Sequence, residues 1–189
     1  MKKIIYLLFA VLSVLSHTKT SAQSFQIFIK ALDQNNVILD GGSTVPGRLK
    51  DIEALSYSHG LVGCSQVPCP GCPPCKVQAS DYSFYMLFNA ATITLKQMML
   101  TGTYLKSVDV YYRRSNQTFD FYKIHMETVA ITALNESGSE GGDVAPAVTV
   151  SLASMKIAWQ FTATKSDGTA GGQTKGGWDF STSTAWVYF

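Results

Sequence analysis

Apolar and polar residues alternate along several segments of the chain with the period of two that is typical of β-strands. The first such segment, residues 25–30, is rich in aromatic and β-branched residues. Residues 107–114 and 118–131 are predicted to be two further strands, joined by a short hairpin loop at residues 115–117. Four more segments are predicted to be strands: residues 51–60, 82–87, 148–161 and 175–180.

The hydrophobic alternation changes phase within the segment 148–161. Its apolar residues fall on even positions from Val148 to Leu152 and on odd positions from Ile157 to Phe161. An unbroken strand sends these two sets to opposite faces, so we expect a bulge or bend at residues 153–155 that brings both into the core. Bent strands are typical of barrels and curled sheets.

One helix is predicted, at residues 92–101. We expect a threonine in its first turn to cap it and Gly102 to end it. Lys96 and Gln97 are expected on its outside, and the buried stripe is expected to contain Ile93, Leu95, Met98, Met99 and Leu100. Loops are predicted at residues 33–47, 134–146 and 165–172, where glycine and polar residues concentrate. The pattern therefore predicts a mainly β, antiparallel fold with one α-helix.

The composition fits one folded domain. The chain has 189 residues, of which 46% are hydrophobic and 15% are charged, so it can bury a core and is not typical of disordered proteins. Its formal charge is +2, from 15 basic and 13 acidic residues. Without the three lysines of the first 22 residues the basic residues number twelve, and the charge is about −1. Since no basic patch stands out, we expect no nucleic-acid partner.

The first 22 residues have the features of an export signal. Lys2 and Lys3 precede a mostly apolar run at residues 4–15, and small residues then precede Gln23, where we expect cleavage. The apolar run is shorter than the roughly 20 residues that span a bilayer. We therefore predict a signal peptide at residues 1–22, a domain at residues 23–189, and a mature protein that is periplasmic or extracellular without a membrane segment. The alternative is a buried N-terminal helix.

The segment after Gly63 contains four cysteines and four of the six prolines. The cysteines have the spacing C-x4-C-x2-C-x2-C: Cys64, Cys69, Cys72 and Cys75. In an exported protein an even set of cysteines is normally oxidised, so we expect two disulfides, for which three pairings exist. The alternatives are a zinc or iron–sulfur site, for which four thiolates are suited, and free or catalytic thiols.

Catalytic motifs are absent from the sequence. It has no Gly-x-Ser-x-Gly, no His-Glu-x-x-His and no phosphate-binding glycine loop. His125 lies in a predicted strand with no chemical partner at alternate positions, which is typical of a surface or core residue. His59 is expected to have a packing role. We therefore predict no enzymatic activity, no catalytic residue, no metal ligand and no cofactor-binding residue.

Five segments in sequence order resemble the Hcp family, the haemolysin-coregulated tube proteins of type VI secretion. The resemblance extends over nearly the whole mature chain, roughly residues 25–186. Single motifs of this kind are weak, but five in the right order are specific. The segments read DIEALSYSHG, LTG, FYKIHMETV, VSL with KIAW, and GG with GWD, beginning at Asp51, Leu100, Phe121, Val150 and Gly171 respectively.

The resemblance implies a small antiparallel β-barrel with one flanking α-helix. It also implies self-association into rings of six, stacking of rings into a tube, and binding of effectors or other tube-associated proteins. Aromatic and arginine side chains are common at such interfaces. The candidate interface residues are Tyr111, Arg113 and Arg114 on a strand, and Lys96 and Gln97 on the helix.

The chain differs from the family pattern in its export signal and in the cysteine-rich insertion. Typical tube proteins start almost at their first strand, without a cleavable leader. An alternative is therefore an exported, monomeric binding or adhesion module that keeps the barrel but forms no ring. Tyr111, Arg113 and Arg114 would then be ordinary solvated residues.

Overall fold

The computed structural model describes residues 24–63, 77–140 and 145–189. The predicted signal peptide and all four cysteines lie outside these residues. Within them the chain forms ten strands and one helix. These are β1 (Phe25–Leu32), β2 (Ile52–Ser58), β3 (Leu61–Val62), β4 (Gln78–Ala79), β5 (Tyr82–Leu87), α1 (Ala90–Thr101), β6 (Leu105–Arg114), β7 (Asp120–Ser137), β8 (Ala147–Thr164), β9 (Ala170–Asp179) and β10 (Thr184–Ala185).

Six strands form a closed antiparallel barrel, which confirms the predicted fold class. They follow the order β8-β5-β2-β1-β6-β7, and the pairing of β7 with β8 closes the ring. The 18-residue β8 contacts different strands along one edge, because residues 147–152 pair with β5 and residues 156–164 with β9. The sheet thus continues beyond the barrel through β9 and β10, while β3 and β4 form a separate two-stranded sheet.

Helix α1 closes one end of the barrel. Leu95 lies among core residues from five barrel strands, namely Ile29, Ile52, Phe84, Leu105 and Val150. The helix begins two residues earlier than predicted, because Asn89 rather than a threonine is its N-cap, with Thr92 completing a capping box. Gly102 ends it in the left-handed conformation with φ 67°, as expected.

The buried face of α1 differs from the predicted stripe. Ala91, Thr92, Leu95 and Met98 face the barrel. Leu95 and Met98 were expected there, but the prediction was wrong for the other three apolar residues, Ile93, Met99 and Leu100, which are exposed. The small side chains of Ala91 and Thr92 let the helix backbone approach the end of the barrel closely, which rotates the larger residues outward.

The phase change in β8 occurs where it was predicted, without interrupting the strand. Val148, Val150 and Leu152 pack in the core, and beyond residues 153–156 the core residue is Ile157. Opposite this point, Thr128 of β7 has a left-handed backbone with φ 52°, and the register is the same on both sides of it. The core face therefore shifts in both strands while their pairing is retained.

Phe161 differs from the prediction, since it is 47% exposed rather than in the core. Two of the predicted loops are partly strand. Strand β7 continues to Ser137, so residues 134–137 pair with β8 beyond a register shift between Ile131 and Ala133. Strand β9 begins at Ala170, because Ala170 pairs with Thr164 at the end of β8, and a register shift follows before Gln173 pairs with Thr162. In both places the polar or glycine-rich composition favours a loop, but hydrogen bonding to the neighbouring strand keeps the segment extended.

Candidate functional site

The most exposed side of α1 carries apolar residues. At 100° per residue, Ile93, Gln97 and Leu100 lie within about 60° of one another, opposite the buried face. We call these three residues the α1 outer face. Leu100 is 87% exposed and Ile93 is 48% exposed. A helix with apolar residues on two opposite sides is suited to pack between the barrel and a second surface.

Lys96, beside the α1 outer face, has partners within the chain. Its ammonium Nζ lies 2.5 Å from Glu136 Oε1 and 5.3 Å from the ring centroid of Phe88. The ion pair ties α1 to the end of β7. Gln97, the other helix residue predicted at an interface, is exposed.

Tyr111 lies on the outer face of β6, opposite the core residues Val110 and Tyr112, as the alternation predicted. The guanidinium carbon of Arg48 lies 3.4 Å from its ring centroid. Arg48 comes from the loop between β1 and β2, which thereby covers this part of the sheet. Burial raises the pKa of Tyr111 to about 12.

Arg113 joins the same group of charges. The carboxylate of Asp120 accepts a hydrogen bond from Arg113 Nε at 3.0 Å and another from Arg48 Nη2. Arg48 Nη1 also lies 3.7 Å from Asp51, and burial raises the pKa of the Asp51 carboxyl despite this cation. We call Arg48, Asp51, Tyr111, Arg113 and Asp120 the Arg48 network.

Arg114 contacts the end of the β8–β9 hairpin. Its guanidinium carbon lies 4.5 Å from the ring centroid of Phe121, and Nη1 donates a hydrogen bond to Thr164 Oγ1 at 2.9 Å. The structure therefore brings Tyr111 and Arg113 together through Arg48. Arg114 lies next to them along β6, while Lys96 and Gln97 lie on α1.

A C-terminal segment, residues 186–189, covers another part of the outer sheet face, and we call it the C-terminal strap. The ring of Tyr188 stacks on His125 with centroids 3.4 Å apart and planes at 6°. His125 is 2% exposed, and its Nδ1 lies 2.6 Å from Asp109 Oδ1 on the neighbouring strand. The chemical partner of this strand histidine is thus its cross-strand neighbour, which alternation within one strand does not reveal.

The C-terminal strap requires glycine at position 177. Trp186 N donates to Gly177 O at 3.1 Å, and a Cβ on Gly177 would overlap the carbonyl oxygen of Trp186 and lie 2.6 Å from Ile157 O. We expect Gly177→Ala to lower the free energy of unfolding by about 2 kcal/mol through this overlap. Urea denaturation measures it. Gly176→Ala is the matched control, because its Cβ has no neighbour within 4 Å, and an equal loss in both variants would contradict the assignment.

Both histidines in the described part of the chain, His59 and His125, stack on tyrosine rings. His59 stacks on Tyr82 at 3.7 Å between centroids, which agrees with its expected packing role. Among the described residues, no three His, Cys, Asp or Glu side chains are grouped to hold a metal ion. No helix within them is long and apolar enough to cross a membrane.

A comparison with protein families decides the relationship of this chain. The family described as "Type VI secretion system effector, Hcp" matches residues 28–161, which is more than half of the sequence. The chain belongs to the Hcp family. The predicted resemblance is thereby confirmed. No curated protein matches the chain.

Solved structures share the fold of this Hcp protein. Hcp1 from Salmonella typhimurium superposes with a TM-score of 0.70 at 20% identity, covering 86% of this chain and 99% of that one. A type six secretion system protein superposes with a TM-score of 0.76 at 23% identity, covering 86% of this chain and 100% of that one. A type VI secretion system effector from Yersinia pestis superposes with a TM-score of 0.62 at 20% identity, covering 81% of this chain and 98% of that one.

Proposed function

We propose that this Hcp protein is a non-catalytic structural subunit that assembles into rings of six, which stack into a tube. The observation that carries the proposal is its membership of the Hcp family of type VI secretion. The α1 outer face supports it, because an 87% exposed leucine on a helix face favours burial against a partner.

A ring needs two different surfaces on each subunit, since one edge meets the opposite edge of its neighbour. The α1 outer face is the first. The outside of β2 and β5 supplies a second apolar surface, where Leu55 is 60% exposed and Tyr85 is 37% exposed. Leu55 points outward because it alternates with the core residues Ile52 and Ala54, and it lies at a register shift between β2 and β5. We assign these two surfaces to opposite sides of the subunit interface.

Lys96 and Arg114 lie on the rim in this proposal, whereas Gln97 belongs to the α1 outer face. Because Tyr111 and Arg113 belong to the Arg48 network, they act on the interface by holding the loop between β1 and β2 in place. Effectors or other tube-associated proteins are the expected further partners. Nucleic acid is not expected, since the mature chain is nearly neutral.

Sedimentation equilibrium of the mature chain tests the assembly. We expect a mass near six times that of the monomer at micromolar concentration. Electron microscopy of the same sample at high concentration tests stacking. A monomer at every concentration, in folded protein, would favour the exported monomeric module, the alternative that the signal-like residues 1–22 support.

Export and oxidation are a linked prediction. We propose that the mature protein begins at Gln23, leaves the cytoplasm, and contains two disulfides among Cys64, Cys69, Cys72 and Cys75. The unreduced protein should then have a mass about 4 Da below that of the reduced protein, one hydrogen per sulfur. Mass spectrometry and N-terminal sequencing of protein from its native compartment measure both. An intact chain starting at Met1, or bound zinc or iron, would overturn this prediction.

A further inference from the structure

Two adjoining cavities lie between the β3–β4 sheet and strands β8 and β9. The first has a volume of about 380 Å³, and its walls include His59, Ser80, Asp81 and Tyr82. The second, of about 230 Å³, is lined by apolar side chains that include Leu61, Trp159 and Trp178. Val77 and Phe180 belong to both walls, so the cavities form one concave surface with a polar half and an aromatic half.

Contacts within the chain fix the walls of this surface. Trp159 Nε1 donates a hydrogen bond to Tyr82 Oη at 3.2 Å, which connects the two halves. His59 lies flat on Tyr82, with ring planes 7° apart. Sites for small molecules have this composition, with apolar walls and a few fixed polar groups.

The charge of the lining indicates what it binds. Among the described residues around the two cavities, Asp81 alone carries a formal charge, and none is lysine or arginine. Burial lowers the pKa of His59, so this imidazole is neutral at pH 7 and does not repel a cation. Thr132 Oγ1 donates to Asp81 Oδ2, which orients the carboxylate and leaves acceptor capacity on its two oxygens.

We propose that the two cavities bind an amphipathic amine, with its apolar body among Trp159, Trp178 and Phe180 and its ammonium group at Asp81. Aromatic faces attract cations and bury apolar rings, so both parts of such a ligand are accommodated. Amines of this kind exist as free small molecules and as lysine next to an aromatic residue in a peptide. The proposal goes beyond the ring and does not depend on assembly.

Tryptamine and indole-3-propionate test the proposal directly, because they share a ring system and carry opposite charges. Isothermal titration calorimetry with the wild-type chain should show tryptamine binding at least tenfold more tightly. A capped dipeptide of phenylalanine and lysine is the peptide arm. Its binding at comparable affinity indicates a protein-borne ligand, and binding of tryptamine alone indicates a free amine. Equal affinity for tryptamine and indole-3-propionate, or no binding of any of the three, overturns the proposal.

Two variants locate the site. Asp81→Asn keeps an acceptor for Thr132 but removes the charge, so we expect it to lower tryptamine affinity about tenfold and to abolish the preference for the cation. Asp40→Asn is the matched control, since Asp40 is an exposed carboxylate paired with Lys50 elsewhere. Equal effects of both variants would refute the site. The measurement is repeated with assembled and dissociated protein, so that failure to form rings is distinguished from failure to bind.

Discussion

Leu100→Glu is expected to convert the assembled protein into a folded monomer, a sixfold loss of mass in sedimentation equilibrium. Leu100 is 87% exposed in the single subunit, so its replacement removes almost no contact from the barrel. In the proposed ring Leu100 is buried at each of the six subunit interfaces. Each copy would lose the roughly 1.5–3 kcal/mol of a buried leucine and would bury a carboxylate as well. At 1.4 kcal/mol per tenfold, each interface weakens by more than an order of magnitude.

Thr94→Glu is the control for this variant. Thr94 is exposed on the same helix but lies about 100° around it from Ile93, away from the α1 outer face. It receives the same charge on the same helix and should leave the mass unchanged. A thermal unfolding transition like that of wild type must accompany the loss of mass. If Leu100→Glu retains the sixfold mass, α1 is not at the interface, even if the ring exists.

The α1 outer face illustrates what sequence patterns reveal about this protein. The apolar positions of α1 predicted the helix, and the glycine at position 102 predicted its end. They did not distinguish the buried side, because large residues lie on two sides of α1 and the smaller Ala91 and Thr92 occupy the contact with the barrel. Which side of α1 is buried depends on where the end of the barrel lies, and that position is set by strands distant in sequence. Hydrophobic periodicity likewise predicted the strands, whereas only the family resemblance predicted that they close into a barrel.

The outer face of the sheet shows a second limit to what sequence patterns predict. His125 and Ala158 lie on the face of the sheet away from the core, yet both are buried. Alternation within a strand predicts such positions to be exposed, as it did for Tyr111. Segments remote in sequence lie on this face: the C-terminal strap covers His125, and the loop that carries Arg48 covers Tyr111. The pairing of Asp109 with His125 depends on the register between β6 and β7, which short motifs do not specify.

Asp120→Asn is expected to lower the free energy of unfolding by about 3 kcal/mol, the largest loss we predict for a single side chain. Asp120 is 8% exposed and accepts hydrogen bonds from both Arg48 and Arg113. Asparagine has nearly the same shape but no charge, so two guanidinium groups remain near each other with weaker compensation. Removing one partner of a buried ion pair typically costs about 3–5 kcal/mol. Urea denaturation of the Leu100→Glu protein measures this without a contribution from assembly.

Asp51→Asn in the same background is the matched comparison, because Asp51 is also a buried carboxylate near Arg48 but has a raised pKa. A carboxyl with a higher pKa in the folded state than in the unfolded state stabilises the fold when protonated. That contribution is complete below the unfolded pKa and is lost as pH rises through the folded pKa. The penalty of Asp51→Asn relative to its parent should therefore shrink as pH rises from 4 to 7, and at pH 7 it should be smaller than that of Asp120→Asn. Equal losses for the two variants at pH 7 would show that Asp51 and Asp120 support Arg48 equally.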